Sequence, residues 1–207
     1  GFELAKSCAE IQRKHPNVEG LILLKHGIFS FGESAKEAYG RMIDLVSLAE
    51  QRLRQDRKNP VFAPAKKVTD RPARVAEIAP RLRGMLSLGA AESPTRFVMT
   101  FRTSPAIRRF VDGAEIGRYS QQGTVTPDHA IRIKPRPVVL PRPSANDPDA
   151  FFKSAKLAIE SYEDAYRAYF VRNNTDKANP KTQLDPVPRV LLLPGLGFFA
   201  VGNSAKA

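Results

Sequence analysis

The sequence predicts an α/β protein in which helices are layered on a mixed sheet. Residues 21–24 form a short apolar run, as a buried strand does. A helix signal follows closely, because Ser34 and Glu37 have the three-residue spacing of a capping box. A second apolar run, which follows Arg189 at residues 190–193, stands near the end of the chain in similar surroundings. Strands and helices that succeed each other in this way are typical of layered α/β domains.

The first quarter of the chain is predicted to hold a helix, a strand with a turn, and a long helix. Apolar side chains recur at helical spacing over residues 3–14, and Pro16 ends that pattern. His26 follows the first strand beside Gly27, which lets the backbone turn sharply. The imidazole is therefore expected at a strand end, where open α/β sheets place their chemistry. The long helix, from Ser34 to about Arg57, carries one apolar stripe that consists of Tyr39, Met42, Ile43, Val46, Ala49 and Leu53.

The remainder of the chain begins with a proline-bearing segment that has little periodicity. Residues 58–71 are therefore predicted to be a linker. Proline removes a backbone donor and clashes with the preceding turn, so the next helix is predicted to break near Pro80. The predicted elements are then that helix at 72–88, a strand at 96–102, a short helix at 105–111, short extended pieces at 123–141 with an irregular loop at 127–129, a long helix at 148–172 and a strand at 189–193.

An internal repeat connects the two apolar runs. When the chain is shifted by 170 residues, the two segments align without a gap, and about half of the aligned positions are identical. The aligned pairs include Leu21 with Leu191, Leu23 with Leu193, Gly27 with Gly197, Phe29 with Phe199, and Gly32-x-Ser34-Ala35-Lys36 with Gly202-x-Ser204-Ala205-Lys206. We interpret this as a strand, a glycine turn and the start of a capped helix that occur twice. Leu196 stands in the second copy where His26 stands in the first.

The glycines of the second copy permit a rival interpretation. Gly195-x-Gly197-x-x-Ala200 follows a predicted strand and has the spacing of the dinucleotide-binding fingerprint in its alanine variant. In that interpretation a helix begins after the glycines and its N-terminus holds a pyrophosphate. The first copy aligns with this segment and lacks the fingerprint, so the repeat is the favoured interpretation and no cofactor-binding residue is predicted in the chain.

Composition limits the classes of partner and compartment. The 207 residues are 42% hydrophobic and 26% charged, which is ordinary for a globular domain, and no apolar run reaches the length of a membrane helix. Cys8 is the single cysteine and fits a small buried hydrophobe in a reducing cytoplasm. The net charge of +12 comes from scattered Lys and Arg without a zinc-finger or RNP motif, so we expect neither a nucleic acid nor a membrane as partner. The charge indicates a solvated basic surface, or a positive field that attracts sugar phosphates.

The segment from His15 through His26-Gly27 to Glu50 resembles the closing part of the class II (zinc-dependent) sugar-phosphate aldolase and adducin-head family. Rhamnulose-1-phosphate aldolases are particularly similar. The resemblance to the aldolase part of bifunctional aldolase/short-chain dehydrogenase proteins extends through the rest of the chain. It implies an aldolase-II-like fold, a sugar-phosphate substrate and a homo-oligomer. It also implies that NAD(P) is used only by a dehydrogenase domain outside this chain.

The resemblance implies a metal-binding role for one histidine. His26 matches the last of the family's three zinc ligands, and the metal there polarises a ketose carbonyl during carbon–carbon cleavage. The family's His-x-His pair and catalytic acid lie upstream of this motif, and the sequence contains no His-x-His. The chain therefore looks like an internal fragment of a larger enzyme, with its catalytic residues unknown. We expect zinc in that parent enzyme rather than in this chain alone.

The resemblance also implies a domain division and two functions. Residues 1–57 are expected to end a first aldolase-like domain, 58–71 to link, and 72–207 to form a truncated, degenerate second one, since Leu196 cannot coordinate a metal. The favoured function is part of a metal-dependent aldolase. The alternative is a non-catalytic scaffold that joins the aldolase and dehydrogenase domains.

Two further histidines have less definite roles. His15 precedes a proline at a helix end, where a surface or capping role is favoured. Asp128 and His129 are adjacent in a polar segment that is similar in the bifunctional proteins. An aspartate can orient an imidazole or share a metal with it, whereas the same residues also fit an Asp-Pro-type turn with a partly buried histidine. The turn is favoured, and Asp128 and His129 remain further metal-ligand candidates.

Overall fold

A computed structural model of the chain describes residues 2–24, 26–55, 62, 71–89, 94–176 and 178–204. The chain divides into two compact units, one of Gly1–Val61 with Val125–Pro127 and the other of Phe62–Thr124 with Asp128–Ala207. The predicted linker, residues 58–71, lies outside the described residues except for Phe62 and Arg71. The predicted division into aldolase-like domains at 1–57 and 72–207 stays a prediction.

The part of the first unit that the structure describes before residue 56 forms two helices and a β-hairpin. Its elements are α1 (Phe2–Lys14), β1 (Gly20–Leu23), β2 (Gly27–Ser30) and α2 (Ala35–Gln55). The two strands pair antiparallel, and α2 packs against both of them. The predicted helices at 3–14 and 34–57 are therefore confirmed in type and position.

The capping hydrogen bonds at the start of α2 differ from the predicted capping box by one residue. The Ser34 hydroxyl accepts a hydrogen bond from the Glu37 backbone N–H at 3.2 Å, as an N-cap does. The Glu37 carboxylate accepts from the backbone N–H of Glu33, at 2.8 Å, where the predicted box requires that of Ser34. One backbone donor in the first turn of α2 and one just before the helix are thus satisfied.

The second unit is built on a four-stranded mixed sheet. The strands are β3 (Val98–Arg102), β4 (Val138–Val139), β5 (Val190–Leu193) and β6 (Gly197–Gly202), in the order β3-β6-β5-β4. β6 pairs antiparallel with β3 and β5, whereas β4 pairs parallel with β5. The helices are α3 (Val75–Met85), α4 (Pro105–Val111), α5 (Ile116–Tyr119), α6 (Pro127–Ile133) and α7 (Pro148–Asn173). Helices on a mixed sheet confirm the predicted fold class.

The core of the second unit lies between this sheet and the helices α3 and α7. The N-terminal half of α7 contributes Phe151 and Phe152, and α3 contributes Ile78 and Leu82, all of them buried. From the sheet, the core receives Leu191, Leu193, Phe199 and Val201. Each fully buried side chain of this size stabilises the fold by about 1.5–3 kcal/mol relative to exposure. This packing fixes the position of the second hairpin.

Local predictions for the second unit are wrong at Pro80 and over residues 127–133. α3 runs without a break through Pro80, because Ile78 and Leu82 on either side of it are buried, and this burial outweighs one lost backbone hydrogen bond. The loop expected at 127–129 is the start of helix α6, in which Pro127 occupies the first turn. Proline's fixed φ suits that position and offers a helix start as readily as a turn.

The internal repeat is confirmed as a repeated local structure, although its second half is a strand. The pairs Leu21–Phe29 and Leu23–Gly27 of the first hairpin recur as Leu191–Phe199 and Leu193–Gly197 in the second. In both turns the backbone N–H before the glycine donates to the carbonyl three residues earlier, at 3.0 and 3.1 Å. Both glycines have positive φ, 128° at Gly27 and 153° at Gly197.

The predicted unit of strand, turn and helix is corrected to strand, turn and strand. β2 and β6 were not predicted, because four to six residues after a glycine turn are too short for periodicity to distinguish a returning strand from a helix lead-in. The helix expected at the start of Ser204-Ala205-Lys206 falls on residues 205–207, outside the described residues. The hairpins belong to different sheets, of two and four strands.

Candidate functional site

His26 lies in the turn that joins β1 to β2. Its side chain is exposed, and its backbone N–H donates to the carbonyl of Leu23 at 3.0 Å. Lys25, the preceding residue, lies outside the described residues. An imidazole carried on a hydrogen-bonded hairpin turn is presented to solvent at a defined point of the fold, where it can bind a metal or exchange a proton.

The hairpin that carries His26 is tied to the start of α2. The Ser30 hydroxyl donates to the carbonyl of Ala38 at 2.8 Å, and the Arg41 guanidinium donates to the carbonyl of Phe31 at 2.9 Å. Arg41 also pairs with Glu37 at 2.7 Å. These contacts join β2 to the first two turns of the helix, so the position of the turn follows from the helix that the capping signal starts.

The corresponding turn of the second hairpin is held by packing and hydrogen bonds. The Gly195 backbone N–H donates to the Asp112 carboxylate at 2.5 Å, and the Thr103 hydroxyl donates to the carbonyl of Leu196 at 2.8 Å. Leu196 itself is half-buried and packs against the core. The second turn therefore offers a hydrocarbon side chain where the first offers an imidazole.

The dinucleotide-binding interpretation of this second turn is wrong. Gly197 opens the strand β6, and Ala200 lies within that strand, so among the described residues a strand directly follows the glycines where the fingerprint requires a helix N-terminus. A Cβ on Gly195 would meet the Arg142 guanidinium at 2.5 Å, and one on Gly197 would meet the carbonyl of Arg102 at 2.3 Å. The glycines are required by close packing within the protein.

Asp128 and His129 lie in the first turn of α6, and both are exposed. A carboxylate in the first turn of a helix is favoured by the helix dipole, which gives Asp128 a structural reason for its position. The polar segment that suggested a loop is thus accounted for by a helix start. Their role as metal ligands stays a prediction.

The described residues do not form a zinc site by themselves. A catalytic zinc takes three protein ligands, and His26 supplies one imidazole. Within the described ranges, no group of three or more His, Cys, Asp or Glu side chains lies close enough together to hold a metal ion. His26 lies in the first unit, whereas Asp128 and His129 lie in the second.

A buried charged cluster of the second unit, centred on Lys134, was not predicted from the sequence. Lys134 is 3% exposed, and its ammonium donates to the backbone carbonyls of Asp185 and Val187, the latter at 2.7 Å. It also lies 3.5 Å from the Asp185 carboxylate and 4.2 Å from the centre of the Tyr166 ring. Burial lowers the pKa of Lys134 to about 8, against the opposing effect of Asp185.

Asp185 connects this lysine to Arg189. Burial acts to raise the pKa of Asp185, but hydrogen bonds from Arg189 and the neighbouring charge of Lys134 outweigh it and hold the pKa below its usual value. The Arg189 guanidinium lies 2.5 Å from that carboxylate. In the sequence Lys134 ends the alternating Ile131-Arg132-Ile133-Lys134, which gives no signal that its charged end is buried.

Two protein-family models match the chain, and each matched segment contains one of the two hairpins. The family model described as class II aldolase and adducin N-terminal domain matches residues 1–53, and the one described as aldolase class II, second domain, matches residues 73–207. The chain is also 29% identical, over 212 residues, to an uncharacterized oxidoreductase, YuxG, of Bacillus subtilis (strain 168). That alignment covers 99% of this chain and 29% of the relative's length. No solved structure gives a significant match.

Proposed function

The chain belongs to the class II aldolase/adducin family, and on that premise we propose that it is the part of a metal-dependent aldolase that contributes His26 to the metal centre. The remaining ligands and the catalytic acid come from sequence outside these residues. The substrate is a sugar phosphate of the rhamnulose-1-phosphate type, and the longer polypeptide also carries a short-chain dehydrogenase domain.

The observation that carries the proposal is the exposed imidazole of His26 on the first hairpin turn. This turn lies within the residues that match the family's N-terminal domain. The turn is fixed to α2 by hydrogen bonds, so it can present one ligand with little loss of conformational freedom. A ligand in this position is available to groups that belong to another part of the protein.

The surface of the first unit supports the idea that these residues work within a larger protein. Neither α1 nor α2 has a buried residue over the ranges described, and the hairpin strands have none either. Large apolar side chains are exposed there, including Phe2 (74%), Ile22 (76%) and Leu24 (88%). Their exposure, together with the lack of buried residues in these elements, fits a surface that another part of a longer protein covers.

The comparison with the Bacillus protein supports the same idea. The chain spans 29% of the length of that relative, whose name describes an oxidoreductase. By analogy, we assign NAD(P)-dependent chemistry to a dehydrogenase domain outside these 207 residues. None of the described helices is long and apolar enough to cross a membrane.

A scaffold function is the second candidate, and the second hairpin favours it. There the position of His26 is taken by Leu196, and the strands on either side are buried in the core. Residues 73–207 can therefore serve to position the first unit and a neighbouring domain without binding a metal. The two candidates differ in whether His26 affects metal content.

Replacement of His26 tests the proposal in the longer polypeptide that contains this chain. We expect His26→Ala to lower bound zinc well below one equivalent. We also expect the cleavage of rhamnulose 1-phosphate to fall by more than the 10–100-fold that loss of an outer-shell partner costs. Metal analysis and turnover measurements on the purified proteins provide the readout, with circular dichroism to show that the variant is folded.

His15→Ala is the matched control, because His15 is an exposed histidine at the end of α1 in the same unit. It should retain the zinc content and turnover of the unchanged protein. A folded His26→Ala variant with full zinc and full turnover would overturn the metal role of His26 and leave the scaffold function.

A further inference from the structure

A groove of about 690 Å³ lies in the second unit, along the C-terminal half of α7. Its other walls are Gly117 of α5 with residues 121–123, which follow that helix, and residues 135–139, which end in β4. The volume falls within the range of small-molecule sites, roughly 300–1,000 Å³. The groove lies entirely among residues that match the second-domain family model, and it does not include His26.

Three tyrosines form one wall of this tyrosine groove. Tyr162, Tyr166 and Tyr169 follow each other at helical spacing, so they lie along one face of α7. The same helix adds small side chains beside them, which leave the rings accessible from the groove: Ala158, Ser161, Ala165 and Ala168. Aromatic faces next to open space are the usual surface on which a planar or sugar ring packs.

The groove is electropositive. Arg136 and Arg172 line it, and no Asp or Glu occurs among its described lining residues. Lys134 lies behind the Tyr166 ring, at 4.2 Å from its centre, where the Asp185 carboxylate 3.5 Å from its ammonium offsets its charge. Asp185 also pairs with Arg189 at 2.5 Å, and Glu163, on the same helix as the tyrosines, pairs with Arg167 at 3.0 Å. An anion is therefore favoured in the groove.

Part of the groove wall is held in place before any ligand binds. The Tyr162 hydroxyl donates to the carbonyl of Arg136 at 3.2 Å, and the Gln121 side-chain amide donates to the carbonyl of Pro137 at 3.1 Å. Burial raises the pKa of Tyr162, so its hydroxyl keeps its proton and the contact with Arg136 persists at neutral pH. A pre-formed wall reduces the entropy that binding costs.

We propose that the tyrosine groove binds a small molecule in which a phosphate group is attached to a ring, such as a sugar phosphate or a nucleotide. The ring packs against the tyrosine faces of α7. The phosphate lies towards Arg136 and Arg172, whose guanidinium groups match its geometry. The inference is independent of the metal role of His26.

Calorimetric titration of the 207-residue chain tests the proposal with four probes: inorganic phosphate, adenosine, ribose 5-phosphate and AMP. We expect ribose 5-phosphate or AMP to bind at least about tenfold more tightly than either inorganic phosphate or adenosine, because only they combine ring and phosphate. Comparable binding of the two indicates that the sugar ring suffices. Tighter binding of AMP, by about tenfold, indicates a nucleotide site.

Variants connect the binding to the groove. Arg136→Gln and Arg172→Gln should each weaken the binding of the tighter ligand by about tenfold. Tyr166→Leu should weaken the binding of that ligand and leave the binding of inorganic phosphate unchanged. Lys153→Gln is the matched control, because it removes one positive charge from an exposed position of α7 outside the groove. His26→Ala should bind the probes normally, which separates a failure here from a failure of the aldolase assignment.

Three results would each overturn the inference. The first is a dissociation constant above about 1 mM for both phosphorylated ring compounds. The second is a dissociation constant for inorganic phosphate that is as low as those of ribose 5-phosphate and AMP. The third is an equal loss in Lys153→Gln and in the groove variants, which would mean that net charge alone attracts the anion.

Discussion

Lys134 has an environment that a lysine side chain does not ordinarily favour. It is a lysine with a left-handed backbone, φ 64°, and a charged end removed from water. Its ammonium joins the segment after α6 to the carbonyls of Asp185 and Val187, just before β5. A buried ammonium costs free energy unless it is paired, and these carbonyls with the Asp185 carboxylate supply the pairing.

The lowered pKa of Lys134 predicts a pH dependence of stability. Between pH about 8 and its ordinary value of 10.5, the folded protein has released this proton while the unfolded chain still holds it. The unfolded state then binds more protons, so the contribution of Lys134 to the free energy of unfolding rises with pH through this window. The full difference is about 3 kcal/mol, at 1.36 kcal/mol per pKa unit.

The free energy of unfolding can be measured in urea from pH 7.5 to 10.5 for the unchanged chain and for Lys134→Met. The difference between the two proteins gives the contribution of Lys134 at each pH. The variant is destabilised at all pH values, because two carbonyls lose their donor. We expect its deficit to widen as pH rises. A deficit that narrows over this range would show that the folded protein raises the pKa of Lys134.

The sequence predicted the surroundings of His26 much better than those of Lys134. A histidine directly after an apolar run and before a glycine is expected at a strand end, and the structure places His26 in a turn after β1. Lys134 follows an isoleucine alternation that suggested an extended piece, yet Ile131 and Ile133 lie in helix α6. The ammonium of Lys134 can be buried because it contacts Asp185, which is distant in the sequence. The residues around Lys134 therefore give no sign of this contact.

At the scale of elements, two hairpins with the same register have opposite surroundings. The first has no buried residue in its described strands, whereas Leu191, Leu193 and Phe199 of the second are buried. Sequence alignment detected the repeat because the leucines and glycines recur at fixed spacing. The alignment did not predict the returning strands β2 and β6, because strand pairing is a contact between two segments. A glycine turn alone does not determine whether the next element is a strand or a helix.

The matched glycines of the two turns give a test of this difference. A residue other than glycine is strained at both, by roughly 1–2 kcal/mol. A Cβ at Gly27 meets nothing within 4 Å, whereas one at Gly197 would meet the carbonyl of Arg102 at 2.3 Å. We expect Gly27→Ala to cost about 1 kcal/mol locally and Gly197→Ala about 3 kcal/mol, since overpacking adds to the strain.

Hydrogen exchange measured by mass spectrometry can follow the two hairpins separately in each variant. Faster exchange in β5 and β6 of Gly197→Ala, with a smaller change in β1 and β2 of Gly27→Ala, is the expected pattern. An equal or larger effect at Gly27 would contradict the close packing described for the second turn.

At the scale of the whole molecule, the net charge and the exposed apolar side chains fit a chain that functions together with other parts of a longer protein. The net charge of +12 favours anionic ligands for both proposed sites. The first unit exposes large apolar side chains, and its histidine is one ligand of a set. The sequence could predict the α/β class and the family from local patterns, but it could not predict the groove, because that surface forms only when α7 and two distant segments pack together.

The central claim is that His26 is one ligand of a metal site that other sequence completes. Zinc content and cleavage of rhamnulose 1-phosphate, measured on the purified 207-residue chain beside the longer polypeptide, test this most directly. We expect zinc well below one equivalent and no turnover in the 207-residue chain, with both restored in the longer protein, because a single imidazole holds zinc weakly. One equivalent of zinc with full turnover in the 207-residue chain would contradict the claim, and Asp128 and His129 would be the first residues to examine.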